Sequence, residues 1–398
     1  MNDQRVRELL SVYRDGLLQD TLPFWIEHGV DHEHGGFITS LNRNGSIVDT
    51  DKTVWQQGRF TWLLAELYNA GFAKNESQAA TWLDLARHGA KFLEQRCFDP
   101  NDGRMWFHLT REGQPIRKRR YAFSESFAAI AFGELALATG EQHYADLAQK
   151  TFRQFIDHHL NPVDTPPKFT GTRPTRGLGF PMISIVTAQE LRQSINLPDA
   201  NERIDEAIDT IKRFHLKPDI QCVMETVGNN GELIDHFDGR TLNPGHAIEG
   251  AWFIMQEGKL RDDETLVRTG LDMLDWMWHR GWDQEHGGML YFVDVNDLPV
   301  QEYWHDMKFW WPQNETIIAT LLAYQLTGDE KYSRWHQQVH DWAYAHFADE
   351  EHGEWFGYLH RDGTVSTQLK GNHWKGPFHL PRMQLVCSQL LEQNSGHC

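Results

Sequence analysis

The feature that most constrains this chain is a turn that comes back. Asp31-His32-Glu33-His34-Gly35-Gly36-Phe37 recurs as Asp283-Gln284-Glu285-His286-Gly287-Gly288-Met289, and with one glycine lost as Asp349-Glu350-Glu351-His352-Gly353-Glu354-Trp355. A weaker copy is Asp99-Pro100-Asn101-Asp102-Gly103-Arg104-Met105-Trp106. The first two copies in chain order lie about 68 residues apart and the last two about 66. That period exceeds the short solenoid repeats and suits two helices plus a hairpin loop. Turn dipeptides follow the copies, at Asn44-Gly45, Glu112-Gly113 and Asp362-Gly363, and mark hairpins. A calcium loop needs alternating oxygen ligands and a distal glutamate, which these spacings do not supply. Recurrence at equivalent positions therefore reads as a structural turn, because a catalytic site is needed only once.

Between the copies the pattern is helical. Phe60 to Tyr68, Phe123 to Ala138, Trp252 to Met255, Leu271 to Trp278 and Ile317 to Leu326 carry apolar faces, some apolar nearly all round. Such stretches fit an inner ring, while half-polar stretches such as Glu202 to Phe214 fit an outer one. Gly140-Glu141 and Gly328-Asp329 read as C-terminal helix stops. About six helical hairpins fit into 398 residues. The predicted fold is all-α, an (α/α)6 barrel with short β-hairpins in the inter-helix loops. No composition break suggests a linker, so residues 1–398 are expected to form one domain, with 393–398 as a loose tail.

Charge narrows the function. With 38 Lys+Arg against 56 Asp+Glu, the net charge is −18, which argues against nucleic-acid binding. The densest basic run, Arg117-Lys118-Arg119-Arg120, reads as a solvated loop. The longest apolar stretch, Ile317 to Tyr324, falls short of the ~20 residues a membrane span requires. The polar start Met1-Asn2-Asp3-Gln4-Arg5 carries no leader pattern. Cys97, Cys222, Cys387 and Cys398 show neither metal spacing nor a disulfide framework, so a cytoplasmic protein with free thiols is expected. His336 and His340 share a helix face without the glutamate of a zinc protease motif, and read as a surface pair.

Four segments carry candidate chemistry. In Asn243-Pro244-Gly245-His246-Ala247-Ile248-Glu249, Asn243 can cap a helix that Pro244 opens, placing His246 in the first turn and Glu249 one turn on. The helix N-terminus favours neutral imidazole, and Glu249 could orient the ring. The alternative is a capping histidine without a task. Lys375-Gly376-Pro377-Phe378-His379-Leu380-Pro381-Arg382 holds a histidine in a rigid turn entering the last helix. Trp304 to Glu315 clusters tryptophans beside a carboxylate, as a sugar pocket requires or as a plain aromatic core would. In Trp55-Gln56-Gln57-Gly58-Arg59, a buried Arg59 wants an anionic partner, either structural or an oxyanion formed in catalysis.

Asn243-Pro244-Gly245-His246, Met307-Lys308 with Trp310-Trp311-Pro312, Gly353-Glu354-Trp355-Phe356-Gly357-Tyr358-Leu359 and Phe378-His379-Leu380-Pro381-Arg382 resemble the N-acylglucosamine 2-epimerase (renin-binding protein) family. The resemblance runs from about Phe24-Trp25 to Cys387, with the motifs in order. It implies an (α/α)6 barrel, usually a homodimer, that interconverts N-acetylglucosamine and N-acetylmannosamine. His246 and His379 match its two acid/base histidines, and Arg59, Glu249 and Glu315 its pocket residues. Trp311, Lys308 and Arg382 fall inside the same motifs and are expected to touch substrate. The implied reaction exchanges the C2 proton of the open-chain sugar and uses no metal or redox cofactor. The related aldose–ketose isomerases and cellobiose 2-epimerases carry a further histidine at the place of Phe180-Pro181-Met182-Ile183-Ser184-Ile185, and this chain has none. It departs from the family at Pro377, where a cysteine is frequent. Many members are activated by ATP at an allosteric site; the matching region Pro166 to Arg173 is short, which argues against that cofactor here. Two other readings stay open: an epimerase or isomerase acting on unacetylated mannose, glucose or a disaccharide, and a non-catalytic protein-binding partner.

Overall fold

The computed structural model describes residues 1–161 and 168–395. Pro166 and Pro167 of the short loop, and Cys398, lie outside the described residues. Six inner helices span Val54–Asn69, Phe123–Thr139, Gly179–Ile195, Pro244–Arg261, Trp310–Thr327 and His379–Ser395. They are buried on most sides: in the second, every residue from Ser124 to Ala136 is buried. Outside them run Glu76–Arg96, Gln142–Leu160, Ala200–Thr210, Glu264–Gly281 and Glu330–Phe347. A sixth outer segment joins Asp3–Leu10 to Leu22–Gly29 through the wider turns Ser11–Asp15 and Leu17–Thr21. The outer helices bury one stripe and leave the other to water, as amphipathic elements facing a single core must. Each inner helix packs on the next around the ring. The ring closes where Trp62 of the first meets Phe378 at the start of the last, ring centroids 5.5 Å apart.

The helix stops are as the glycines imply, with Gly140 and Gly328 left-handed at φ 71° and 68°. The tail is shorter than expected, since 393–395 continue the last helix. His336 and His340 are not a surface pair. Both are buried, and the Tyr13 hydroxyl lies 3.0 and 2.8 Å from their rings. The apolar face of that outer helix turns them toward the first outer segment, which spacing alone could not reveal. Nor is the basic run simply solvated. Lys118 reaches Asp99 at 2.5 Å, and Arg119 stacks over Phe107 and Trp374 at 4.4 and 5.0 Å.

The repeated turns sit where outer helices hand over to hairpins. Each is clasped by an isolated bridge in the same register: Val30 with Phe37, Phe98 with Met105, Trp282 with Met289, Ala348 with Trp355. The first glycine of every copy takes a left-handed φ of 72–82°, which an L side chain resists. Where the second glycine is lost, Glu354 still adopts φ 55°. Its carboxylate accepts from Trp25 Nε1 at 2.6 Å and Lys375 Nζ at 2.8 Å, which fastens the strained residue.

The leading aspartate of each of the three strong copies holds a buried cation. Lys52 donates to Asp31 at 2.7 Å and Lys308 to Asp283 at 2.8 Å, while Lys370 pairs with Asp349 at 2.8 Å. An arginine at the tip of a following hairpin completes each cluster: Arg111 on Asp31, Arg361 on Asp283, and Arg43 on Asp349. That last contact joins the first hairpin to the last turn and so closes the ring. These cations and bonds hold Asp31, Asp283 and Asp349 far below the usual carboxylate range, against the opposing effect of burial.

Candidate active site

All six inner helices begin at the hairpin end, where the loops that precede them pair with one another: Lys52–Thr53 with His108–Leu109, Thr241–Leu242 with Val293–Asp294, Lys308–Phe309 with Tyr358–Leu359. A cavity of about 1710 Å³ runs along the barrel axis, from residues near these helix starts, such as His246 and His379, to residues near the opposite ends, such as Gln193 and Leu260. The cavity wall includes Arg59, His246, Glu249, Trp311, His379 and Arg382.

His246 sits where the sequence places it. Asn243 caps the fourth inner helix by accepting from His246 N at 3.1 Å, and Pro244 opens it. Gly245 is required by contact: a Cβ there would lie 2.6 Å from the Trp311 ring. That close approach brings Trp311 against His246, with ring centroids 5.1 Å apart. Trp311 also meets His379, at 5.8 Å. The two histidines therefore share contact with one indole.

Each imidazole is held at Nδ1 by a carboxylate, which leaves Nε2 for chemistry. His379 Nδ1 donates to Glu315 at 2.7 Å. The same Glu315 accepts from Arg382 at 2.6 Å and from Trp252 Nε1 at 2.9 Å, and Arg382 also donates to Glu249 at 2.6 Å. His246 Nδ1 lies 3.1 Å from Glu225. Sequence reasoning missed Glu225, and it gave the orienting role to Glu249, whose carboxylate is instead engaged by Arg382. Glu225 sits 21 residues before its histidine, in Met224-Glu225-Thr226, with no motif to mark it.

The two environments push the histidines apart. Burial, then the charges of Arg59 and Arg382, holds His379 well below its ordinary range, so the ring is neutral. Burial also disfavours charge on His246, but Glu225, by charge and hydrogen bond, and Glu249 more than offset it and raise the pKa. The helix N-terminus alone would have predicted the opposite. Two imidazoles with oppositely shifted pKa values on a shared cavity are the arrangement that base and acid roles require.

Arg59 is buried, and its Nε has no hydrogen-bond partner. Its guanidinium lies over Phe127 and Phe378 at 4.1 and 4.7 Å. Burial pulls its pKa down to about 9, so it is still cationic at neutral pH. Among the described residues Arg59 has no ion-pair partner, and a buried cation of this kind in a cavity is a ready partner for an anionic oxygen.

Lys308 stands apart from this group. It is fully buried in the corner turn, where Nζ donates to Asp283 at 2.8 Å and to the Gly287 carbonyl at 2.7 Å. The expected substrate contact is therefore not available to it, and its role is structural. Glu249, Glu315 and His379 bring donor atoms within 4.8 Å of one another, but Arg382 already supplies the cation between the two carboxylates.

A helical barrel whose axial cavity is lined by two histidines, each held at Nδ1 by a carboxylate, places the chain in the α/α-barrel class. The family model for N-acylglucosamine 2-epimerase (GlcNAc 2-epimerase) matches residues 36–379, and the chain belongs to that family. It is 36% identical to N-acylglucosamine 2-epimerase of Rattus norvegicus over 98% of this chain and 94% of the relative. It is 34% identical to that of Homo sapiens over 98% and 92%. Among solved structures, cellobiose 2-epimerase from Spirochaeta thermophila superposes with a TM-score of 0.83 at 19% identity, over 99% of both chains, and shares the fold.

Proposed function

We propose that this chain interconverts N-acetylglucosamine and N-acetylmannosamine by removing and returning the C2 proton of the open-chain sugar. The observation that carries the reading is the pair of histidines in contact with Trp311, each tied at Nδ1 and with pKa values shifted in opposite directions. The aldehyde at C1 acidifies the C2 proton. Neutral His379 takes it through Nε2, and protonated His246 returns one to the opposite face of the planar enolate. Arg59 stabilises the oxygen that becomes negative. After one turnover the protonation states are exchanged, and that form is the one suited to the other epimer. The reaction leaves the oxidation state unchanged, so it calls for no redox partner.

The N-acetylated substrate is supported by the relatives' activity and by the wall of the third inner helix. There Met182 and Ile183 give an apolar surface where the isomerases and disaccharide epimerases are expected to carry a histidine. The cavity continues past the histidines along the barrel, to Gln193 and Leu260, which leaves room for a second reading, a disaccharide substrate. Incubation in D₂O should place deuterium at C2 of both N-acetylated epimers. No exchange with N-acetylmannosamine, together with exchange of a free hexose or disaccharide, would favour the second reading.

The same reading takes the protein as a cytoplasmic homodimer that does not depend on ATP. The buried thiols of Cys97, Cys222 and Cys387 suit a reducing compartment. Light scattering tests the dimer, and turnover measured with and without ATP tests the nucleotide.

A further inference from the structure

Away from the barrel axis, three entrance loops bring two histidines and two aspartates together. Asp49 and Asp51 lie on the connection into the first inner helix, His108 on the hairpin before the second, and His373 on the loop before the last. Donor atoms of Asp51, His108 and His373 all lie within 4.8 Å of one another. His108 Nε2 is 2.9 Å from Asp51 Oδ2, and His373 Nε2 is 3.7 Å from Asp49 Oδ2. The imidazole centroids are 4.4 Å apart at 58°. Both Nε2 atoms are buried, and neither has a hydrogen-bond partner of good geometry. We propose that Asp51, His108 and His373, with Asp49 as fourth donor, form a divalent metal site of zinc type that staples the three loops.

The donor set is the reason. Two imidazole nitrogens and carboxylate oxygens suit Zn²⁺ and similar ions of intermediate softness, whereas Ca²⁺ and Mg²⁺ prefer oxygen alone. With metal–ligand distances of about 2.0–2.2 Å, tetrahedral donors sit roughly 3.3 Å apart, so the side chains need only small rotations. The carriers are already fixed. Lys52–Thr53 pairs with His108–Leu109, the Thr53 hydroxyl donates to the His373 carbonyl at 3.0 Å, and Asp49 Oδ1 accepts from Asp51 N at 2.9 Å. Arg117, opposite His108 on its hairpin, lays its guanidinium over the Phe107 ring at 5.0 Å. Trp374, next to His373, lines the substrate cavity, so an ion here would fix part of its wall.

The test is calorimetric titration of Zn²⁺ into chelator-treated, full-length protein, with Co²⁺ absorption as a reporter of geometry. The expected result is one ion per chain, a higher Tm on binding, and loss of both in H108N/H373N. D51N, which leaves both histidines, should weaken binding by at least about 10-fold and covers the case in which the double variant fails to fold. The proposal is overturned by no uptake, by uptake that these substitutions leave unchanged, or by uptake lost instead in E315Q. The last result would put the ion at the barrel axis, and simple His–Asp ion pairs would account for the cluster.

Discussion

Two sets of buried carboxylates and cations share this barrel, and they are built to opposite ends. In the corner turns, Asp31, Asp283 and Asp349 each hold a fully buried lysine and a hairpin arginine, and the lysine ammonium is satisfied by carboxylate and backbone oxygens. In the barrel axis, Glu315, Glu249 and Arg382 form one cluster, but its purpose points outward. It fixes His379 with Nε2 left over, while Arg59 nearby keeps an unpartnered Nε. The first arrangement is repeated and closed. The second occurs once and leaves capacity to bind. A buried ion pair is weak evidence of function by itself; unspent hydrogen-bonding capacity facing a cavity is stronger.

Substitutions can break the contrast. The largest effect is expected for H379N, which should lower kcat by about 10²–10⁴-fold while circular dichroism and Tm hold near wild type. K308M should do the reverse. Removing one partner of a buried pair costs about 3–5 kcal/mol, read as a fall in Tm and denaturant midpoint, with KM and kcat of the folded fraction unchanged. A raised KM would return Lys308 to the substrate site. R59M should reduce kcat by about 10²–10³-fold without lowering Tm, because the guanidinium has no ion-pair partner to lose. The smallest effect is expected for E225Q. Without the carboxylate that holds its pKa up, His246 loses its proton earlier as pH rises. The alkaline limb of kcat/KM, for the epimer formed by protonation from His246, then moves about 1 pH unit lower. An unmoved limb would take Glu225 out of the acid's environment.

Much of the first set was legible in the chain. The turn repeats by residue type, and its lysine recurs as well: Lys52 and Lys370 each follow their aspartate by 21 residues and Lys308 by 25. That second periodicity identifies Lys308 as a corner residue, although it also stands beside the Trp310-Trp311 motif. Arginines immediately before or at the turn tips, Arg43, Arg111 and Arg361, repeat in the same way. What no local pattern could supply is which aspartate each arginine reaches, since Arg43 meets Asp349 only because the ring closes.

The sequence by itself determined the turns, the helix ends and the all-α ring. Each of these is written in residues a few places apart, through caps, left-handed glycines and periodic apolar faces, whereas His379, Arg59 and Glu315 stand out as a group only through the resemblance to the family. The tertiary structure alone decided that Glu225 rather than Glu249 holds His246, that His336 and His340 face Tyr13, and that the pKa values of the two catalytic candidates are shifted in opposite directions. Those outcomes depend on burial and on charges brought together by ring closure. Both act through space, over distances that spacing along a chain does not encode.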